Sequence, residues 1–195
     1  MQVEKSKVGD IVASAVSQSG VTAEGAAAGG VFYFECYDSE GNLKWTDTCH
    51  NLVVNVGLKY INDTLLTGSG YTAAWYVGLI TGPATGTTIS ATDTLASHGS
   101  TGAGGWTEDT NYSGSRKAIT FGAATTANPA VSTNGTPVQF TMNGTTTVAG
   151  AFLANVASGT SGTLLCASDF QSPGDRSVVN GDIINVTYTF NMAAA

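Results

Sequence analysis

Charged residues are scarce in this sequence, and basic residues are the scarcest. Only 11% of the 195 residues are Asp, Glu, Lys or Arg, against a usual share of about 25%. Seven basic residues stand against fourteen acidic ones, so the formal net charge is -7. Nucleic-acid binding depends on clustered Lys and Arg that displace counterions. The composition therefore predicts no nucleic-acid partner.

Residues that build metal and nucleophilic sites are also few, with two histidines and three cysteines. The spacing of Cys36, Cys49 and Cys166 fits neither a disulfide framework nor a CxxC zinc motif. We expect free thiols packed as small apolar groups. The same scarcity predicts no metal site, no cofactor, no catalytic residue and no enzymatic activity.

Long apolar runs are absent as well. No stretch approaches the ~18 consecutive apolar residues that a membrane span needs. The charged start of the chain is not followed by the apolar core of a secretory signal. We expect synthesis in a reducing cytosol and no membrane partner.

The chain divides by composition into two parts. Residues 1–30 are rich in Ala, Ser and Gly and are predicted to form a flexible arm, because such a run buries too little apolar surface to offset its ordering entropy. Residues 31–195 form the predicted folded domain. The arm carries a few apolar residues that would order against a partner, namely Val8, Ile11, Val12, Val16 and Val21.

The domain has the pattern of an all-β protein. Residues 31–37 and 43–48 predict a hairpin around the turn at 38–42. Further short β-forming runs are separated by Gly, Thr, Ser and Asn, which is typical of a sandwich or barrel. We expect an antiparallel β-sandwich or jelly-roll-like barrel. The further predicted strands are 72–80, 117–121, 138–142, 148–156, 164–170 and 183–190.

One short helix is predicted after the hairpin. Leu58, Ile61 and Leu65 recur at the spacing of a single helix face. Asn55 is the predicted N-cap and Gly68 the predicted terminator. A helix this short should pack against a sheet, because its stability comes mainly from such packing.

The segment 81–115 is long for a loop and holds the few side chains that suggest chemistry. A catalytic reading of Asp93, Ser97 and His98 is disfavoured, because adjacent residues seldom point at each other and no GxSxG elbow is present. The pair Glu108–Asp109 has no partner carboxylate for glycoside cleavage. Cys49 and His50 could form a nucleophilic pair, but their position after a strand favours ordinary packing at the strand end. Trp106 and Tyr112 would tether the loop or, alternatively, form an exposed aromatic loop.

Several blocks recur in an order that resembles small structural proteins of tailed bacteriophages. They include NLVVNVGLKYI at 51–61, WYVGL at 75–79, DTLASH at 93–98 and GWTE at 105–108. Residues 37–45, Tyr112, GAFL at 150–153, GTL at 162–164 and NGD at 180–182 complete the series. The resemblance spans about residues 31 to 192, and the arm lies outside it.

This resemblance implies a non-enzymatic virion component on the capsid surface, made in the cytoplasm of the host bacterium. The expected role is a capsid decoration or cement protein that binds and stabilises the lattice of the major capsid protein or contacts neighbouring virion proteins. A homo-oligomer is expected, and a trimer would suit the three-fold positions of a capsid. The alternative is a tail or fibre component, or a carbohydrate-binding module for the host surface with Trp106 and Tyr112 as its platform.

Overall fold

A computed structural model describes residues 26–68, 74–82, 87–98, 105–171 and 174–194. Within these ranges, helix α1 (Asn55–Asn62) continues into a π-helical turn (Asp63–Thr67), and α2 (Leu95–His98) is a single turn. The strands are β1 (Ala26–Tyr37), β2 (Leu43–Val53), β3 (Trp75–Thr81), β4 (Thr107–Glu108), β5 (Lys117–Ile119), β6 (Ala130–Thr133), β7 (Val138–Thr141), β8 (Thr146–Val148), β9 (Gly150–Ala154), β10 (Leu164–Asp169), β11 (Arg176–Val178) and β12 (Ile183–Ala194).

Ten of the twelve described strands form one continuous antiparallel sheet, whose two parts, sheet 1 and sheet 2, share β2. Strands β8 and β11 pair with each other as a separate two-stranded antiparallel sheet. The predicted mainly antiparallel β fold class is therefore confirmed. In sheet 1, β1 lies between β2 and β12, and β12 also pairs with β6 and β7. In sheet 2, β9 lies between β3 and β10, while β4 and β5 pair with β3. Strand β2 pairs with β1 through residues 43–50 and with β10 through residues 51–53. The chain therefore passes from one sheet to the other within this strand.

The main core lies between the two sheets. Alternation directs Phe32 and Phe34 of β1 inward, together with Val186 of β12. Val77 and Leu153 face them from sheet 2. Because successive side chains of a strand point to opposite faces, the residues that flank Val186 on β12 face outward.

A second apolar cluster covers the outer face of sheet 2. Phe152 of β9 and Ile80 of β3 pack there against Leu95 and Trp106, which come from the segments that flank residues 99–104. All five residues of β9 are consequently buried. The described parts of the predicted long loop 81–115 thus include a covering layer for sheet 2.

The folded domain begins earlier than residue 31. Residues 26–30, predicted to belong to the arm, lie in β1 and pair with residues 190–194 of β12. Gly30 permits this pairing, because a Cβ atom there would lie 2.5 Å from the Tyr188 hydroxyl oxygen. The ladder hydrogen bonds override the weak β propensity of Ala and Gly. The predicted docking residues Val8, Ile11, Val12, Val16 and Val21 lie outside the described residues.

Helix α1 confirms the predicted element but not its predicted face. Val54 is the N-cap and Asn55 the first helical residue, and Gly68 ends the π-helical turn with φ +67°. Leu58 is 41% exposed, whereas Gly57 is buried. A Cβ atom at Gly57 would lie 2.3 Å from the Leu165 carbonyl oxygen. Close approach of the helix backbone to β10, which only glycine allows, therefore sets the buried face.

Candidate functional site

The strongest catalytic candidate of the sequence, Asp93 with Ser97 and His98, forms a buried pair without its nucleophile. His98 Nε2 lies 2.9 Å from Asp93 Oδ1, although the two atoms are not aligned as a hydrogen bond. The other ring nitrogen, Nδ1, lies 3.2 Å from the Trp106 carbonyl oxygen. The Ser97 hydroxyl donates instead to the Thr94 carbonyl oxygen at 2.9 Å. Nδ1 contacts the Trp106 carbonyl oxygen and Nε2 faces Asp93, so neither imidazole nitrogen is hydrogen-bonded to Ser97.

The same pair holds the layer over sheet 2 together. Trp106 donates its indole N–H to Asp93 Oδ2 at 3.0 Å, and the Ser90 backbone N–H donates to the same oxygen at 2.8 Å. The His98 and Trp106 rings stack with centroids 4.2 Å apart and planes 2° from parallel. Asp93, His98 and Trp106 are all buried. These hydrogen bonds and the stacked rings connect the segment 90–98 to Trp106 within the protein interior.

Glu108 and Asp109, considered for glycoside cleavage, are held by different partners. Arg116 donates to both oxygens of Glu108, from Nε at 2.8 Å and from Nη2 at 2.7 Å. Asp109 Oδ1 accepts from the backbone and the side chain of Asn111, each at 2.8 Å. Arg116 itself is buried and lies over the Phe152 ring, 5.1 Å from its centroid.

The cysteines are free and buried, as the sequence predicts. Burial raises the pKa of the Cys49 thiol to about 12, and it raises the pKa of Cys36 to about 12 and that of Cys166 to about 11. Cys49 Sγ donates to Ser168 Oγ at 3.1 Å, while the neighbouring His50 is exposed on the other face of β2. Cys49 and His50 therefore point apart, and the thiol keeps its proton at neutral pH.

The prediction of an exposed aromatic loop at Trp106 and Tyr112 is wrong. Trp106 is 1% exposed and Tyr112 is 4% exposed. Trp106 packs on Phe152 over sheet 2, and Tyr112 packs edge-on against Phe140 with centroids 4.8 Å apart. Both rings tether the loop, because burying an aromatic side chain contributes more than leaving it in water.

An apolar cleft lies between α1 and residues of both sheets. Its volume is about 400 Å³. Trp75 and Leu165 of sheet 2, Phe190 of sheet 1, and residues of α1 and the π-helical turn all line it. The lining residues are Tyr60, Ile61, Thr64, Leu65, Trp75, Phe121, Ser132, Leu165 and Phe190.

The lining of the cleft is apolar and uncharged. Two hydroxyl groups, from Thr64 and Ser132, are the only polar side chains other than the rings of Tyr60 and Trp75. Those two rings meet edge-on, with centroids 5.5 Å apart. Leu65 at the rim is 69% exposed, and the adjacent Leu66 is 80% exposed. Such a concentration of exposed apolar surface is typical of an interaction site.

Next to the cleft, β1, β12 and β6 continue past the point at which β2 leaves sheet 1 for β10. On the inner face of sheet 1, Phe190 pairs with Gly30 and with Ser132, and Met192 pairs with Ala28 and with Ala130. We call these six residues the overhang. Its small side chains leave space above them, and Met192 is exposed. The sequence did not predict the cleft, because its lining residues come from six separate parts of the chain.

The described residues contain no group of three or more His, Cys, Asp or Glu side chains that could hold a metal ion. None of the helices in these ranges is long and apolar enough to cross a membrane. Compared with protein-family models, curated proteins and solved structures, the chain matches none of them.

Proposed function

We propose that this protein is a non-enzymatic structural component of a tailed-bacteriophage particle, and specifically a decoration protein that binds the major capsid lattice and stabilises it. The observation that carries this proposal is that the candidate reactive side chains contact other residues of the protein interior. Internal contacts join Asp93 to His98, Cys49 to Ser168, and Glu108 to Arg116. A protein that acts through shape and adhesion needs no other chemistry.

The sequence blocks that carry the phage resemblance support the same proposal, because they supply packing residues. Trp106, Phe152 and Leu153 are core residues, and Asp182 is buried and accepts a hydrogen bond from the Val179 backbone at 2.9 Å. The outward face of β12, with Thr187 and other polar residues, needs no charge for solubility. A domain with so few charged residues, 11% of the chain, suits repeated attachment on a lattice.

The experiment is to purify phage particles from infected cells and measure the ratio of this protein to the major capsid protein. We expect a fixed ratio and, in a particle reconstruction, its density at symmetry-related positions on the head. Particles made without the protein should rupture at a lower temperature, and adding the purified protein should restore the rupture temperature. Absence from particles, or a location confined to the tail, contradicts the proposal.

A further inference from the structure

We propose that the apolar cleft is filled by residues 11–21 of the same chain, which fold back from Ala26 across the overhang. This inference does not depend on the phage assignment, because it concerns the free subunit. Three observations carry it: the uncovered apolar lining, the point at which the described chain begins, and the composition of the segment before that point.

The cleft requires an apolar occupant. Trp75, Leu165 and Phe190 line it from the sheets, and Tyr60 and Leu65 line it from the helical segment. Removing apolar surface from water contributes roughly 25 cal/mol per Å². An occupant with aliphatic side chains therefore gains most of its binding energy from this effect. A charged occupant would find no side chain of opposite charge among the lining residues.

The described chain begins next to the cleft. Ala26 pairs with Ala194, and Gly30 pairs with Phe190, which lines the cleft. Gly30 lies four residue steps along β1 from Ala26, which corresponds to roughly 13 Å. The preceding residues therefore enter the fold at the outer end of the overhang, and a reversal of direction would carry them over its inner face.

The preceding segment is long enough to return to the cleft. Five residues from Val21 to Ala26 span at most about 17 Å, so Val21 can lie level with Phe190. Val16 and Val12 are then within reach of the far side of the cleft at Tyr60 and Leu65. Valine and isoleucine at positions 11, 12, 16 and 21 supply the aliphatic side chains that the lining calls for.

The charge pattern of the segment matches the cleft. Residues 11–23 contain no charged side chain, and the nearest charges are Asp10 and Glu24. The cleft is likewise lined without charge. A segment tethered a few residues away has an effective concentration on the order of millimolar. This favours the chain's own segment over that of a second copy at ordinary protein concentrations.

A spin label on the full-length chain tests the proposal. The variant Ser19→Cys places a reactive thiol in the segment, while the three native thiols are buried and have raised pKa values, so that they react far more slowly. We expect the label to abolish the methyl NMR signals of Ile61 and Leu65. The methyl signals of Leu43, at the opposite end of the β1–β2 hairpin, should be unaffected.

A matched pair of charge variants identifies the side chains responsible. In the labelled chain, Val12→Asp combined with Val16→Asp should restore the Ile61 and Leu65 signals, because buried carboxylates would be unpaired. Ser14→Asp combined with Ser17→Asp adds the same charge and should leave the signals lost. Equal behaviour of the two variants contradicts the proposal.

Mixed samples decide which copy fills the cleft. Spin-labelled chains without isotopes are mixed with isotope-labelled chains without the spin label. We expect no signal loss in this mixture. Loss that grows with concentration would place a second copy's segment in the cleft and overturn the proposal. Undiminished signals in the singly labelled chain would overturn it as well, and would leave the cleft to a partner such as a lattice protein.

Discussion

Sheet 1 buries only its inner face, whereas sheet 2 is buried on both faces. In β12 the inward Val186 and Tyr188 alternate with outward polar residues such as Thr187. In β9 the inward Leu153 and the outward Phe152 are both buried. The difference arises from the covering layer formed by Leu95, Trp106 and their neighbours. Stability should therefore respond to outward-facing substitutions in sheet 2 and hardly at all in sheet 1.

The largest expected effect comes from removing an outward side chain of sheet 2. Phe152→Ala deletes a ring that packs on Trp106 and beneath Arg116. Large-to-small changes of this kind cost about 3–5 kcal/mol. Thr187→Ala on the outward face of β12 should change the free energy of unfolding by no more than about 0.5 kcal/mol. Denaturant unfolding measures both, and similar costs would refute the comparison.

The contrast also explains how much of the fold the sequence could predict. The alternation in β12 and the hairpin of β1 and β2 follow from side-chain period and turn residues, and both are present. In β9, GAFLA has no alternation, because both of its faces are covered. The covering layer could not be predicted, since it depends on tertiary contacts of a segment with no regular period.

The next largest loss of stability is expected from breaking the ion pair of Arg116 and Glu108, which lies beside Phe152. Arg116→Met leaves the Glu108 carboxylate without the two hydrogen bonds that Arg116 donates. Removing one partner of a buried pair costs about 3–5 kcal/mol; we expect the lower end, because Glu108 is less buried than Arg116.

Adding Glu108→Gln to Arg116→Met provides the control. With the unpaired charge removed, part of the lost free energy of unfolding should return. Glu108→Gln alone should cost less than Arg116→Met, because Arg116 keeps its hydrogen bonds to the Val156 and Gly159 carbonyl oxygens. A double variant less stable than Arg116→Met would show that charge burial is not the cause.

The candidate site was harder to predict than the fold. The apolar cleft joins Trp75, Phe190 and α1, which are far apart in sequence and share no motif. The stripe of Leu58, Ile61 and Leu65 suggested a buried helix face, but the close approach at Gly57 turns Leu58 and Leu65 outward. Helical period alone could not show this, because the backbone contact, and not the apolar stripe, sets the rotation.

An intermediate loss of stability is expected for Asp93→Ala, and a smaller one for the matched substitution Asp38→Ala. Asp93→Ala removes the buried acceptor of the Trp106 indole and of the Ser90 backbone N–H. Leaving buried donors unsatisfied costs about 1–3 kcal/mol. Asp38→Ala in the hairpin turn of sheet 1 also removes two backbone hydrogen bonds, from Glu40 and Asn42. These donors are exposed, and water replaces the carboxylate, so the cost should be smaller. Equal shifts in unfolding midpoint would contradict this.

The smallest effect depends on pH and concerns Asp169 at the end of β10. Burial, together with the negative charge of Asp175, raises the pKa of Asp169 to about 6. The folded state therefore binds the proton more tightly than the unfolded state, whose pKa is about 4. Stability from this group is present below about pH 4 and is lost as the pH rises through about 6.

Asp169→Asn should accordingly stabilise the protein near neutral pH, and the gain should disappear below about pH 4. The control is Asp175→Asn, which removes only the second cause of the raised pKa and should give a smaller gain over the same range. Thermal unfolding at a series of pH values measures both. A gain for Asp169→Asn that is independent of pH would show that packing at the end of β10, and not the cost of burying its charge, limits stability there.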